Sequence, residues 1–307
     1  MKKINQELNQ ELNQELKQIL NIIVCVKQVP GTSAVEIDSE TGVLKRDGVE
    51  AKLNPYDLFA IEAALALSEQ TGGCVTALSM GPPQAREALL ETMYMGVDRA
   101  ILISDRSFAG SDVLATAYTL SQAISAIGFD LIICGKQTTD GDTAQVGAEL
   151  AEFLGIPHVA GAMAMRPLNE GELASLGKLG GPNELSKSAS LGNPRGLVVL
   201  AGEDSKNVTI YMPLPCLLCT DGGINSPRLP SYRRKREIPP DSIQVITLSD
   251  FEDKNEQHYG LYGSPTQVER TFPPPVSDSH ERIQGSGIEI AKMLAAILAD
   301  KKFIEQQ

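Results

Sequence analysis

No stretch of this 307-residue sequence reaches the roughly 18 to 20 consecutive apolar residues needed to cross a bilayer, and its N-terminus lacks the apolar core of a signal peptide. No membrane insertion is expected, and the sequence predicts a cytoplasmic protein. Basic charge is short as well. Acidic residues outnumber basic ones by 39 to 27, a net charge of -12, which disfavours nonspecific binding to nucleic acid or acidic lipid. Cysteine is sparse and scattered, at Cys25, Cys74, Cys134, Cys216 and Cys219; the first three lie in apolar strand-like runs, so no disulfide framework is expected. Cys216 and Cys219 form a C-x-x-C, but His158, His258 and His280 show no ligand spacing with that pair. A structural zinc takes about four ligands, so packing in a core strand is the favoured reading and no metal is expected. What remains, at 42% hydrophobic and 21% charged residues, is the composition of a globular protein long enough for one large core or two smaller ones.

The most informative stretch is Leu131 to Leu154, LIICGKQTTDGDTAQVGAELAEFL. Leu131, Ile132, Ile133 and Cys134 form an unbroken apolar run of the kind expected in a parallel strand covered on both faces, and Gly135 ends it. Asp142 reads as an N-cap, Val146, Leu150, Phe153 and Leu154 follow at helical spacing, and Gly155 and Pro157 form a stop signal. The amides of Asp142, Thr143 and Ala144 are therefore expected to point, unpaired, at the crevice above the strand. Free amides at the positive end of a helix attract phosphate, and Gly141, Thr143 and Ala144 let a pyrophosphate approach the backbone. Against this, Asp140 and Asp142 add negative charge, with only Lys136 nearby to offset it. The spacing is neither G-x-G-x-x-G nor G-x-x-x-x-G-K-[ST]. A nucleotide site and an ordinary strand-to-helix turn with a good cap stand level at this point.

Taken in order, the chain opens with three NQEL units, placing Ile4, Leu8, Leu12 and Leu16 every fourth residue. A four-residue period drifts by about 40° per repeat around a helix, giving a slanting seam, so residues 1–20 read as a helical extension outside the fold. Ile22 to Lys27 is a buried strand, Val35 to Lys52 a hairpin-like excursion, and Asn54, Pro55 and Asp57 the start of a helix running to about Gln70. Cys74 to Met80, Gln84 to Met95, Arg99 to Ser104 and Asp112 to Ile127 then alternate as strand, helix, strand and helix. This alternation predicts an α/β fold with a doubly wound, mostly parallel, Rossmann-like sheet, whose loops after Lys27, Met80, Ser104 and Cys134 share one edge. Pro167 to Gly196 is rich in Gly, Ser and Asn, and Leu197 to Ala201, Val208 to Met212 and Cys216 to Thr220 read as short strands of a second hairpin excursion. Arg233 to Arg236 is a basic run, read first as a solvated face. An extended, proline-rich arm spans Tyr259 to Pro275, and an amphipathic helix about Gly287 to Phe303 closes the sequence. The expected division is 1–20, an α/β domain over 21–225, and an arm with a helix over 226–307.

Six separated stretches resemble the beta subunit of electron-transfer flavoprotein: VCVKQVP at 24–30, LNPYDLFAIEAAL at 53–65, MGVDRAI at 95–101, GKQTTDGDTAQVGAELAEFLG at 135–155, LPCLLCT at 214–220 and YGSPTQVERTFPPP at 262–275. The resemblance implies a subunit that pairs with an alpha subunit and binds an adenine nucleotide at the edge just described. It would be lined by Cys25; by Asn54, Pro55, Tyr56 and Asp57; by Met80; and by the run Gly135, Lys136, Gln137, Thr138, Thr139, Asp140, Gly141, Asp142, Thr143, Ala144, Gln145 and Val146. In one branch of the family the nucleotide is a structural AMP. In the other it is FAD, which accepts hydride from NADH and splits the two electrons between ferredoxin and, through the alpha-subunit FAD, an acyl-CoA dehydrogenase-like partner. The segment DGDTAQVG leans to the FAD branch, because AMP-binding relatives tend to read more like DDDCNQTG there. No catalytic acid or base is expected of this chain, which would act as part of an NADH-dependent flavin oxidoreductase complex. The arm would wrap the alpha subunit. The rival from another class is a nucleotide-sensing, stress-type module of similar architecture.

Overall fold

The computed structural model describes residues 19–31, 51–169, 195–203, 206–269 and 282–303. The NQEL repeat through residue 18, residues 32–50 of the first excursion, and the arm from 270 to 275 lie outside the described residues. Along the chain come β1 (Asn21–Cys25), the short β2 (Gln28–Pro30) and β3 (Ala51–Leu53), α1 (Pro55–Thr71), β4 (Cys74–Met80), α2 (Arg86–Met95), β5 (Arg99–Ile103), α3 (Val113–Ile127), β6 (Leu131–Gly135), α4 (Val146–Leu154), β7 (His158–Pro167), β8 (Gly196–Glu203), β9 (Lys206–Pro213), β10 (Cys216–Thr220), α5 (Tyr232–Glu237) and β11 (Gln244–Ile246). A last helix, α6 (Gly287–Asp300), belongs to a separate compact unit, opens on a Ser286–Glu289 capping box, and exposes Ile288, Met293 and Leu294. No helix among the described residues is long and apolar enough to cross a membrane.

The main sheet runs β11-β5-β4-β1-β6-β10-β7-β8-β9. Every neighbouring pair from β11 to β7 is parallel, and β8 and β9 add an antiparallel hairpin beyond β7. Alternate residues of the central strands feed two cores. Ile22, Val24, Leu131 and Ile133 face α1 and α2, while Ile23, Ile132 and Leu217 face α3 and α4. Burial on both faces explains why these strands read as continuous apolar runs rather than alternating ones. From β1 the chain builds outward through β4 and β5, then returns to place β6 on the other flank of β1. The direction of winding therefore reverses between β1 and β6, where open α/β sheets form a crevice beyond the carboxyl ends of their strands.

Several expectations shift in detail. The ends of the first excursion do pair, as antiparallel β2 and β3. Residues 216–220 are not part of a hairpin excursion: β10 is inserted in parallel between β6 and β7, and all five of its residues are buried. Strand β7 escapes a periodicity reading, because its centre, Ala160 to Ala164, is made of alanine and glycine with one methionine, residues with little strand preference. The first part of the arm, Tyr259 to Thr266, lies against this chain's own domain. Tyr259 is fully buried among Phe108, Phe251 and Tyr118, the Ser264 hydroxyl accepts a bond from the Asp112 amide (2.8 Å), and the Thr266 hydroxyl donates to the Asp112 carboxylate (2.7 Å). Asp112 also caps α3 through the Ala115 amide, so one carboxylate fastens both segments.

Helix α4 approaches β10 closely enough to require glycine at its second position. A Cβ on Gly147 would stand 2.4 Å from the Cys219 sulfur and 3.4 Å from Leu217. Gly147→Ala is expected to cost about 1–3 kcal/mol through overpacking, and Cys219→Ala in the same chain to recover most of that loss. Denaturant unfolding of the two single variants and the double variant checks this, and simple additivity of the losses would refute the contact.

Candidate functional site

At the crevice between β1 and β6 three segments converge: the exit of β1 at Lys27, the start of α1 at Asn54 to Asp57, and the loop from Gly135 to Gln145. Asn54 occupies the N-cap position but does not cap with its side chain. Its amide nitrogen donates to the Asp57 carboxylate (2.9 Å) and to the Gln137 carbonyl (2.9 Å), while its side-chain oxygen accepts from the Thr139 amide (3.3 Å). Asp57 takes a second bond from the Lys27 amide (2.8 Å). One buried Asn–Asp pair thus ties all three segments together. Gly135 is forced by this packing, since a Cβ there would lie 2.3 Å from the Asp57 carboxylate and 2.9 Å from the Tyr56 backbone.

Burial pushes the Asp57 carboxyl up from 3.8 to about 7, against the opposing hydrogen bonds from Asn54 and Lys27 and the charge of Lys27. Asp140 behaves oppositely. Burial works against its charge too, but the Lys27 ammonium, the Thr138 hydroxyl and the Gly141 amide outweigh it and hold its carboxyl below the ordinary range. Lys27 and Asp140 meet at 2.8 Å with both side chains partly exposed, so the pair contributes only about 0.2–1 kcal/mol and is readily exchanged.

The loop differs from the expectation at its helix end. Asp142 is not the N-cap: α4 begins at Val146 after Gln145, and the Asp142 amide donates to the Thr138 carbonyl at 3.1 Å. Asp142 and Ala144 both adopt left-handed backbone, at φ 54 and φ 55. Asparagine-like residues tolerate that region, but alanine has no side chain to compensate, and such strain persists where a site needs it. Ala144 is followed by Gln145 at φ -111, ψ -22, an alternation that turns successive N–H groups to one side. Among the described residues, none accepts a bond from the amides of Thr143 through Ala148. Of the amides named in the sequence, those of Thr143 and Ala144 are unused as expected and that of Asp142 is not, and the row continues into the first turn of α4.

The counter-charge is also arranged differently. Lys136 turns away to Asp221 (3.3 Å), on the β10 side, and Lys27 takes its place by neutralising Asp140. Asp142 is engaged by the Gln137 side chain at 2.5 Å. Lys27 carried a signal that went unused, for it directly follows the strand whose exit faces the crevice. Cys25 ends β1, flanked by Cys134 on β6, and Met80 ends the neighbouring β4 on the same face. Pro55 holds the first position of α1, and Tyr56 faces the turn at Gly222. Gly141 and Thr143 are exposed in the loop, and Val146 packs on the α3 side. No cluster of three or more His, Cys, Asp or Glu among the described residues is arranged to hold a metal ion.

A family model described as "Electron transfer flavoprotein domain" matches residues 41–170, the span that contains this loop. The chain is 36% identical over 285 residues to the electron transfer flavoprotein subunit beta of Clostridium acetobutylicum, covering 93% of this chain and 100% of the relative. It is 37% identical over 290 residues to the caffeyl-CoA reductase-Etf complex subunit CarD of Acetobacterium woodii, with the same coverage. It is 36% identical over 292 residues to the acryloyl-CoA reductase electron transfer subunit gamma of Anaerotignum propionicum, again over 93% and 100%.

Asp57 gives the site a pH signature. Its folded pKa, about 7, lies above the ordinary 3.8, so the folded state holds the proton more tightly. The stability this contributes, up to about 4 kcal/mol, is full below pH 4 and is lost as pH rises through 7. Asp140 and Asp112, whose carboxyls are held low, act only below that window. Urea unfolding at pH 5 and pH 8 is expected to show a smaller difference in Asp57→Asn than in the parent chain; equal differences would refute the assignment.

Proposed function

This chain belongs to the electron transfer flavoprotein family as a beta subunit, and on that premise we propose that it holds FAD at the β1–β6 crevice and serves NADH-dependent electron bifurcation beside an alpha subunit. The observation that carries the reading is the row of unused amides from Thr143 to Ala148, presented by a loop with left-handed backbone at Ala144. Six consecutive amides exceed what the single phosphate of AMP requires and suit a diphosphate. The two aspartates do not oppose it, because Asp140 is neutralised by Lys27 and Asp142 is held by Gln137. Two relatives whose names place them with caffeyl-CoA and acryloyl-CoA reductases support the bifurcating branch.

In this reading the amides of the loop and of the first turn of α4 would hold the diphosphate, with Lys27 remaining beside Asp140 as its counter-charge. Asn54 keeps the loop in register with α1 through its bonds to Gln137 and Thr139. Cys25 and Met80 wall the crevice on the α3 side. When bound, FAD would supply the redox chemistry, accepting hydride from NADH and passing its electrons to ferredoxin and, through the alpha-subunit FAD, to an acyl-CoA dehydrogenase-like partner. Hydride transfer needs no acid or base from the protein, and no side chain here is assigned that role.

Acid release and quantification of the ligands of the purified heterodimer are expected to give two FAD; one FAD and one AMP would overturn the proposal. A second outcome follows from Ala144. Its replacement by Glu is expected to abolish nucleotide at this site while the far-ultraviolet spectrum and unfolding midpoint stay near those of the parent. Full nucleotide retention by Ala144→Glu would remove the loop from the site.

A further inference from the structure

Cys25, Cys134 and Cys219 form one transverse row across the centre of the sheet. Cys25 is the register partner of Cys134 on the adjacent parallel strand, and Cys134 is the partner of Cys219 on the next. All three point to the α3–α4 face, where Cys134 and Cys219 are buried in the core and Cys25 packs against it. The row lies at the carboxyl edge, and α4 rests on its far end through Gly147. The other two cysteines are elsewhere: Cys74 begins β4 at the opposite edge, and Cys216 faces the α1–α2 core.

We propose that Cys25 and Cys134 form a reversible disulfide when the protein meets a hydroperoxide, making this pair an oxidation site at the floor of the crevice. The proposal does not depend on whether the nucleotide is FAD or AMP, but because Cys25 walls the crevice it concerns the complex freed of nucleotide. Neighbouring strands lie about 4.8 Å apart, inside the roughly 4.4–6.8 Å spanned by the Cα atoms of disulfides, and both side chains leave the sheet on the same face. Access distinguishes the partners. Cys25 is half-buried, whereas Cys134 and Cys219 are 7% and 9% exposed, so a small oxidant reaches Cys25 first. Contact with Cys25 and burial raise the Cys134 thiol well above its ordinary range although Cys219 opposes them. Burial thus keeps Cys134 from meeting the oxidant first and leaves it the second step, in which it gives up its proton.

The chemistry balances with the hydroperoxide as the two-electron oxidant. The Cys25 sulfur attacks one peroxide oxygen; an S–O bond forms, the O–O bond breaks, and the other oxygen leaves with the thiol proton as alcohol or water. The Cys134 sulfur then attacks the sulfenic sulfur; the S–S bond forms, the S–O bond breaks, and hydroxide departs with the Cys134 proton as water. The strand spacing exceeds the usual Cβ separation of a disulfide, about 3.8 Å, so the bond draws β1 and β6 together under strain and is readily reduced.

The test uses the full chain purified with its alpha-type partner and freed of nucleotide, treated with stoichiometric hydrogen peroxide, alkylated, digested and mapped by mass spectrometry. The expected result is loss of alkylation at Cys25 and Cys134, a peptide linking the two, and recovery on treatment with dithiothreitol, while Cys74 and Cys216 remain alkylated. In Cys134→Ala the link is expected to vanish and Cys25 to react with dimedone as a sulfenic acid; in Cys219→Ala the link is expected to persist. A link between Cys134 and Cys219, oxidation of Cys74 or Cys216 ahead of Cys25, or an unreacted Cys25 in the parent protein would overturn the proposal. The parent map decides even if a variant fails to fold.

Discussion

The carboxyl edge of this sheet depends on one buried carboxyl group. Asp57 accepts from the Lys27 amide and from Asn54, and Asn54 carries the connection on to Gln137 and Thr139. Burying a carboxylate is expensive unless its oxygens are satisfied, and here each accepts one short bond. Removing a single partner would leave a buried acceptor unmatched, at a cost of about 1–3 kcal/mol. The arrangement therefore behaves as a unit: strand exit, helix start and loop are positioned together or not at all. The absence of a side chain at Gly135 belongs to the same unit, because only glycine lets β6 end beside the first turn of α1.

Around that fixed centre the outer contacts are weak and exchangeable. The Lys27–Asp140 pair is partly exposed and contributes little to stability, and the loop from Gly141 to Gln145 is exposed along its length. Strain at Ala144 is stored in the same segment. A rigid inner tie with a loosely held, amide-rich outer loop suits a site that binds a large anionic ligand without reorganising its sheet, because the ordering cost is confined to a few residues.

The central fold was legible because β1, β4, β5 and β6 are buried on both faces and read as largely apolar runs, interrupted in β4 only by Thr76 and Ser79 and separated by helices with clear starts at Pro55 and Asp112. The strand-loop-helix unit was legible for the same reason. What escaped was long-range. Nothing local in Cys216 to Thr220 distinguishes a hairpin strand from one inserted between β6 and β7, since that choice is made by pairing. The N-cap at Asp142 was a reasonable reading of a preferred residue type, overturned because the Asp142 amide closes a turn onto Thr138 and delays the helix to Val146. Lys27 was missed because its partner lies 113 residues away, a pairing that no spacing rule reaches.

Helix α5 has a physical consequence of another kind. The chain carries a net charge of -12, yet Arg233, Arg234, Lys235 and Arg236 stand exposed on a single short helix, which Ser231 anchors to the Tyr94 carbonyl at the end of α2. The run makes a local positive patch on an acidic chain. Such a patch attracts an acidic surface at short range, and ionic strength that shortens the screening length to a few ångströms erases that attraction.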